Sequence, residues 1–337
     1  MERPYRVRRS VLAVPASSER FIAKARDLPV DEIFLDLEDA VAPAAKSQAR
    51  ANAAAALAQD WGNRTVAVRV NDASTQWAHR DVIDVVSATG RGATGRGAAG
   101  QGTAGQDADG TGAHRGRLDT IVLPKASSPE HVVWLDLLLG QVEREAGLVP
   151  GQIGSEAQIE DAAGLAAVEA IAAASPRLEA LVFGPADFMA SVGIRSLEVG
   201  GQPEGYAGDV YYYPLMRILI AARARGLQAI DGPYLKVRDI DGFRRSARSA
   251  AALGYDGKWV LHPGQVDAGN EIFTPSQADF DRASEIIEAY AHATGVQERG
   301  AVMLGDEMID EASRKMAEAL VAKGEASGLT RTTTTSS

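Results

Sequence analysis

Eight short apolar, β-branched runs punctuate this chain, separated by alanine-rich stretches with helical spacing. The runs are Ser10 to Val14, Glu32 to Leu37, Thr65 to Val70, Asp119 to Leu123, Gln152 to Ile159, Ala180 to Phe183, Gln228 to Ile230 and Trp259 to Leu261. Helical spacing is plain in Ala44 to Ala58, Ala163 to Ala174, Tyr213 to Arg225 and Phe243 to Leu253. A strand that is apolar at nearly every position must be buried on both faces, as happens in a parallel sheet covered by helices. Eight strands alternating with helices predict a (β/α)8 TIM barrel, which takes roughly 250 residues as one domain. The competing fold is a doubly wound sheet. Against it, no Gly-x-Gly-x-x-Gly follows the first strand, and the glycines of Gly193 to Gly201 come late and at the wrong spacing.

The chain has 337 residues, more than the barrel needs. We expect a barrel domain over 1–275, a C-terminal helical extension over 276–325 and a disordered tail over 326–337. Within the barrel, Ser87 to Arg117 is rich in Gly, Ala, Thr and Gln and has almost no large apolar residues. It cannot offset its ordering entropy by burial and reads as a flexible insertion. It lacks the Gly-Lys-Ser/Thr ending of a phosphate-binding loop. Ser276 to Ala293 and Ile309 to Lys323 read as the two helices of the extension.

A net charge of −10 argues against nucleic acid as a partner, because neutralising phosphates needs a basic surface. There is no cysteine, which removes disulfides, thiolate nucleophiles and thiolate metal sites. The five histidines, His79, His114, His131, His262 and His292, show no metal-ligand spacing, so a zinc hydrolase is not expected. No Gly-x-Ser-x-Gly elbow is present either. The apolar stretch after the basic start is too short for a signal peptide or a membrane span, and the cytoplasm is the default location.

In a TIM barrel the site is built at the strand C-termini. There the sequence places Asp36, Glu38 and Asp39 after strand two, Arg69 after three, Lys125 after four and Glu160 after five. Asp187 follows strand six, Pro233 and Tyr234 strand seven, and His262 strand eight. Any one of these could cap a helix or solvate a rim; their convergence on one end is what suggests a site. Glu160 and Asp187 come from adjacent strands and are the best pair for a divalent cation. Asp36, Glu38 and Asp39 would orient water on such an ion. Asp39 could equally cap the helix beginning near Pro43. Arg69, with no acid in its own strand, suits a carboxylate or a developing enolate oxygen, or a salt bridge to Glu38. His262 could line the pocket or simply serve a loop.

Six segments carry a family resemblance. They are Arg9 to Pro15, Phe34 to Val41, Arg69-Val70-Asn71, Val122 to Lys125, Phe183 to Asp187 and Gly257 to Pro263. Together they resemble the citrate lyase β-subunit-like (HpcH/HpaI) superfamily of CoA-ester lyases over about Arg8 to Lys323, apart from the insertion. Asp60 to Asn63, Trp77 with Arg80-Asp81-Val82, and Val199-Gly200-Gly201 look more like its L-malyl-CoA/β-methylmalyl-CoA lyase branch. The resemblance implies a barrel that forms homotrimers or hexamers and binds Mg²⁺, with Mn²⁺ as the alternative, on Glu160 and Asp187. It places Arg69 beside the reacting carbonyl, and Glu38 and Asp39 are taken with it as catalytic candidates. It assigns Arg20 and Lys24 to the nucleotide phosphates of CoA, and Asp36, Lys125, Pro233, Tyr234 and His262 to the surrounding pocket. Asp310 would be a catalytic aspartate, on an extension that closes over a neighbouring subunit.

Two positions depart from the family pattern. His-Pro-Ser-Gln is here His262-Pro263-Gly264-Gln265, and the strand-five motif ends Ile159-Glu160-Asp161, adding a charge beside a ligand. The insertion leads into strand four, away from the mouth, and is not expected to touch chemistry. The implied reaction is reversible cleavage of malyl-CoA or β-methylmalyl-CoA to glyoxylate and acetyl-CoA or propionyl-CoA. A malyl-CoA thioesterase and a citryl- or citramalyl-CoA lyase are the alternatives on this scaffold. A noncatalytic CoA-binding subunit would have no need of an intact Glu160, Asp187 and Arg69.

Overall fold

The computed structural model describes residues 5–90, 116–296 and 300–332. It divides into two units, Met1–Asn270 and Glu271–Ser337.

The first unit is a closed barrel of eight parallel strands in sequence order. They are β1 (Ser10–Pro15), β2 (Glu32–Asp36), β3 (Thr65–Arg69), β4 (Thr120–Leu123), β5 (Gly154–Ile159), β6 (Leu178–Phe183), β7 (Gln228–Asp231) and β8 (Gly257–Val260). β8 returns to β1, pairing Leu12 with Val260. The two-residue period of a strand sorts the interior into layers. Val11, Phe34, Ala67, Val122, Ile230 and Trp259 belong to a buried apolar cluster. Two residues further along β2 and β3 the same face presents Asp36 and Arg69, and two residues back along β2 it presents Glu32. The barrel is therefore polar at both ends and apolar between.

Helices follow most strands, and their limits differ from the sequence expectation in instructive places. Helix Ala78–Gly90 takes in the start of the expected insertion, because Val85 and Val86 are buried and the Thr89 hydroxyl donates to Val86 O at 2.8 Å. Of the rest of that segment, 91–115 lie outside the described residues, and Arg117 at its end donates to Asp119 Oδ2 at 2.9 Å. The stretch Ala163 to Ala174 is two short helices, Ala162–Ala166 and Val168–Ala172, broken at Ala167. Helix Ile240–Leu253 begins earlier than expected, since the Asp239 carboxylate caps it by accepting from Gly242 N at 2.8 Å. No helix among the described residues is long and apolar enough to cross a membrane.

In the second unit, helices Gln277–Val296 and Glu311–Ala326 pack together. Gly324 permits this, because a Cβ there would lie 2.3 Å from the Phe280 ring. Between the helices runs an antiparallel hairpin, β9 (Val302–Leu304) and β10 (Glu307–Ile309). Ile309 is thus the end of a strand and not the start of a helix. The last five residues, 333–337, fall outside the described part of the tail.

Candidate active site

β3 and β2 deliver the charges at the centre of the mouth. The Arg69 guanidinium donates to both oxygens of Asp36, from Nε at 2.8 Å and from Nη2 at 2.7 Å. Asp36 also accepts from Glu38 N at 2.9 Å and Ala40 N at 3.3 Å, which fills the acceptor positions of its carboxylate. Burial works against its charge, but Arg69 and the two backbone donors prevail and hold the Asp36 carboxyl below the usual carboxylate range. The same partnership, against the same burial, raises Arg69. Its guanidinium carbon lies 5.3 Å from the centre of the Trp259 ring and 5.6 Å from that of Phe34, a cation–π cage that fixes the side chain. The third nitrogen, Nη1, faces Glu38 Oε2 at 3.2 Å and Gln158 Oε1 at 3.5 Å. Glu38 Oε2 completes no hydrogen bond despite being buried.

Two residues after β4 comes Lys125, the one non-glycine residue with positive φ, +47°, among the described residues. A left-handed lysine is strained, and such residues persist where the surroundings over-determine them. Here the backbone N–H donates to Glu160 Oε1 at 2.7 Å, and the ammonium reaches Glu38 Oε1 at 2.5 Å, with Asp39 Oδ2 at 3.5 Å. The Lys125 carbonyl accepts from Ser127 Oγ at 3.1 Å. Burial pushes Glu38 up, opposed by Arg69 and Lys125.

Glu160 follows the last residue of β5 and is buried. Burial, then the negative charge of Glu38, pushes it up to about 8, with Asp187 adding to the rise. Gly184 makes room for it, because a Cβ at that position would lie 2.5 Å from Glu160 Oε2. Asp187 sits in the first turn of helix Pro185–Val192, where the helix N-terminus favours a negative charge. Both acids line one cavity of about 410 Å³ with Arg69, Asp36 and Asp39. The described residues contain no cluster of three or more His, Asp or Glu side chains able to hold a metal. Two carboxylates with open space beside them suit Mg²⁺, which keeps several waters of its own, and do not suit a closed zinc site.

The remaining expected residues spread over three places. Lys24 and His262 line a second cavity of about 280 Å³ with the exposed ring of Phe21. Ala13, Pro15 and Leu261 line both this cavity and the first, so the two adjoin. Arg20 is exposed on the same short helix, Glu19–Ala25, one turn before Lys24. His262 Nδ1 accepts from Gly264 N at 3.1 Å, capping the turn Pro263–Gln265. Pro233 lines the first cavity and also a third, of about 320 Å³, which holds Tyr234. The Tyr234 hydroxyl donates to Asp239 at 2.7 Å. Asp39 does not cap the turn at Pro43, where Ala42 holds the N-cap position. The extra charge of Asp161 turns away from the cavity: it caps the next helix through Gly164 N and accepts from Ser127 Oγ at 2.6 Å. In the second unit, Asp310 caps helix Glu311–Ala326 and accepts from Ser313 N at 3.0 Å, which lowers its carboxyl.

Sequence reasoning missed Gln158, which lines the first cavity between Glu160 and Arg69. The signal was available, since a polar residue two before Glu160 in a buried strand must share its face.

A barrel whose mouth carries this acid pair and a caged arginine matches one family model, HpcH/HpaI aldolase/citrate lyase, over residues 9–92 and 98–263. The chain belongs to this family. The L-malyl-CoA/β-methylmalyl-CoA lyase of Cereibacter sphaeroides is 36% identical over 332 residues, covering 96% of each chain. The citrate lyase subunit beta of Escherichia coli is 29% identical over 329 residues, covering 97% of each. Among solved structures, protein CitE from Mycobacterium tuberculosis in complex with magnesium, acetoacetate and coenzyme A is 27% identical, with a TM-score of 0.66. That match covers 94% of this chain and 97% of the other. As a member of the HpcH/HpaI aldolase/citrate lyase family, the chain is an enzyme of the lyase class.

Proposed function

We propose that the enzyme cleaves malyl-CoA or β-methylmalyl-CoA reversibly to glyoxylate and acetyl-CoA or propionyl-CoA, using Mg²⁺ held by Glu160 and Asp187. The observation that carries this reading is the shared cavity in which that acid pair faces Arg69. A bound Mg²⁺ supplies Lewis-acid stabilisation of negative charge on oxygen. Arg69, fixed by Asp36 and the two aromatic rings, offers Nη1 to the thioester oxygen, where charge develops as the C–C bond breaks. The apolar cavity beside it, with Phe21 and Lys24, takes the CoA arm, and Arg20 and Lys24 meet its phosphates.

Asp310 comes from the extension of a neighbouring subunit in a homotrimer or hexamer. In the condensing direction its carboxylate takes the α-proton of acetyl-CoA or propionyl-CoA and the new alkoxide takes a proton from water; in cleavage the hydroxyl proton leaves to water and protonated Asp310 gives its proton to the enolate carbon. The close identity to a lyase named for malyl-CoA and β-methylmalyl-CoA supports the acyl chain, and the magnesium in the CitE complex supports the ion.

Incubating (S)-malyl-CoA with enzyme and Mg²⁺ tests the reading. Glyoxylate and acetyl-CoA are expected, and both should vanish when EDTA is added. Free malate with CoA would mean hydrolysis, and turnover unaffected by EDTA would remove the metal from the reading.

A further inference from the structure

The pleat of β5 brings Gln158 and Glu160 to the same face, and Gln158 is 3% exposed. Its Nε2 donates to Glu160 Oε2 at 2.6 Å, and its Oε1 accepts from Arg69 Nη1 at 3.5 Å. Chemistry fixes this orientation, because a carboxylate can only accept and a guanidinium can only donate. The other Glu160 oxygen takes the N–H of Lys125. Each carboxylate oxygen therefore has one donor from the protein and retains acceptor capacity for a cation. An apolar residue at 158 would leave Glu160 Oε2 without its donor, and an acid would set a like charge against it. The close pass of the chain just after β6 seals the arrangement, since a Cβ at Gly184 would lie 2.9 Å from Gln158 Nε2.

We propose that Gln158 is a positioning residue: it sets the plane of the Glu160 carboxylate for the cation and couples that ligand to Arg69. The inference rests on the reading that Glu160 binds the metal. Outer partners of metal ligands typically contribute on the order of 10- to 100-fold in metal affinity or activity.

The test is a Mn²⁺ titration of metal-free protein, followed by electron paramagnetic resonance, on the wild type, Gln158→Met, Gln158→Asn and Glu160→Gln. Methionine keeps the length of the side chain without its donor. Asparagine keeps an amide that is too short to reach, and serves if the methionine variant does not fold. In both, Mn²⁺ affinity should fall on the order of 10- to 100-fold. With saturating metal, kcat should fall while KM for the CoA thioester holds, because the CoA arm binds elsewhere. Wild-type Mn²⁺ affinity in a folded Gln158 variant would overturn the role, even if its Tm had dropped, because packing alone would then account for the residue. Equal Mn²⁺ binding by wild type and Glu160→Gln would overturn the metal reading itself, and the role of Gln158 with it.

Discussion

Asp36 and Glu38 hold three of the Arg69 nitrogens in a buried setting, so removing the arginine does two things at once. It takes away a preorganised positive charge, which typically contributes on the order of 10² to 10³ in rate. It also takes the cationic partner from buried Asp36, leaving Glu38 with Lys125 alone, and breaking a buried pair by removing one partner costs about 3–5 kcal/mol. Arg69→Ala should therefore lose turnover and also unfold at a visibly lower urea midpoint; a fully stable, fully active variant would refute both halves. This pairing was only half legible in the sequence. Glu160 and Asp187 stood out because acids at strand ends have no packing purpose. The partnership of Arg69 with Asp36 depends on β2 and β3 aligning Asp36 with Arg69, a register that no local pattern announces. The tie of Gln158 to Glu160 was legible from their spacing on one strand, but its approach to Arg69 on β3 was not.

At the scale of elements, the period of hydrophobicity exposed all eight barrel strands, because parallel strands buried on both faces leave continuous apolar runs. Breaks and short pieces were not legible. β9 and β10 have three residues each, too few to show alternation, and the helix break at Ala167 falls within an unbroken alanine-rich stretch. Asp161 shows how an element can reassign a residue. Beside Glu160 in sequence, it reads as an extra charge at the site, yet its side chain starts the helix Ala162–Ala166 and binds Ser127. Asp161→Ala should cost about 0.5–2 kcal/mol in urea denaturation, the usual loss of an N-cap, and leave Mg²⁺-dependent turnover close to wild type. A collapse of activity at unchanged stability would return Asp161 to the site.

The whole barrel is closed at its far end by a second polar layer. Arg8 is fully buried there and contacts Glu32 at 2.6 Å, Glu179 at 2.7 Å and Glu156 at 3.2 Å, with Gln228 as a further acceptor. Arg6 adds a contact to Glu179 at 3.0 Å, but two arginines do not neutralise three acids, and an oxygen each on Glu32 and Glu156 has no hydrogen bond. Burial, then the Glu156 charge, pushes Glu32 well above the usual carboxylate range, with Arg8 opposing. The folded state keeps a proton that the unfolded chain releases, so stability falls as pH rises above the ordinary glutamate value, by at most about 1.4 kcal/mol per pH unit for one group. Glu32→Gln, a neutral mimic, should remove that slope: its urea midpoint should gain on the wild type between pH 5 and pH 8, where parallel curves would show Glu32 ionised in the fold.

The proposed position of Asp310 makes the assembly itself part of the catalyst. If each site takes Arg69 from one chain and Asp310 from its neighbour, then Arg69→Lys and Asp310→Asn homo-oligomers each lack one group at every mouth. Lysine is chosen so that Asp36 keeps a cationic partner and the subunit stays folded. Mixed oligomers made by co-expression contain some mouths that join an intact Arg69 to an intact Asp310 of another chain. Such mixtures should regain malyl-CoA cleavage well above the sum of the two separate variants, and the gain should disappear when the proteins are merely combined without subunit exchange. No recovery in demonstrably mixed oligomers would place Asp310 in the same chain's site or outside catalysis altogether.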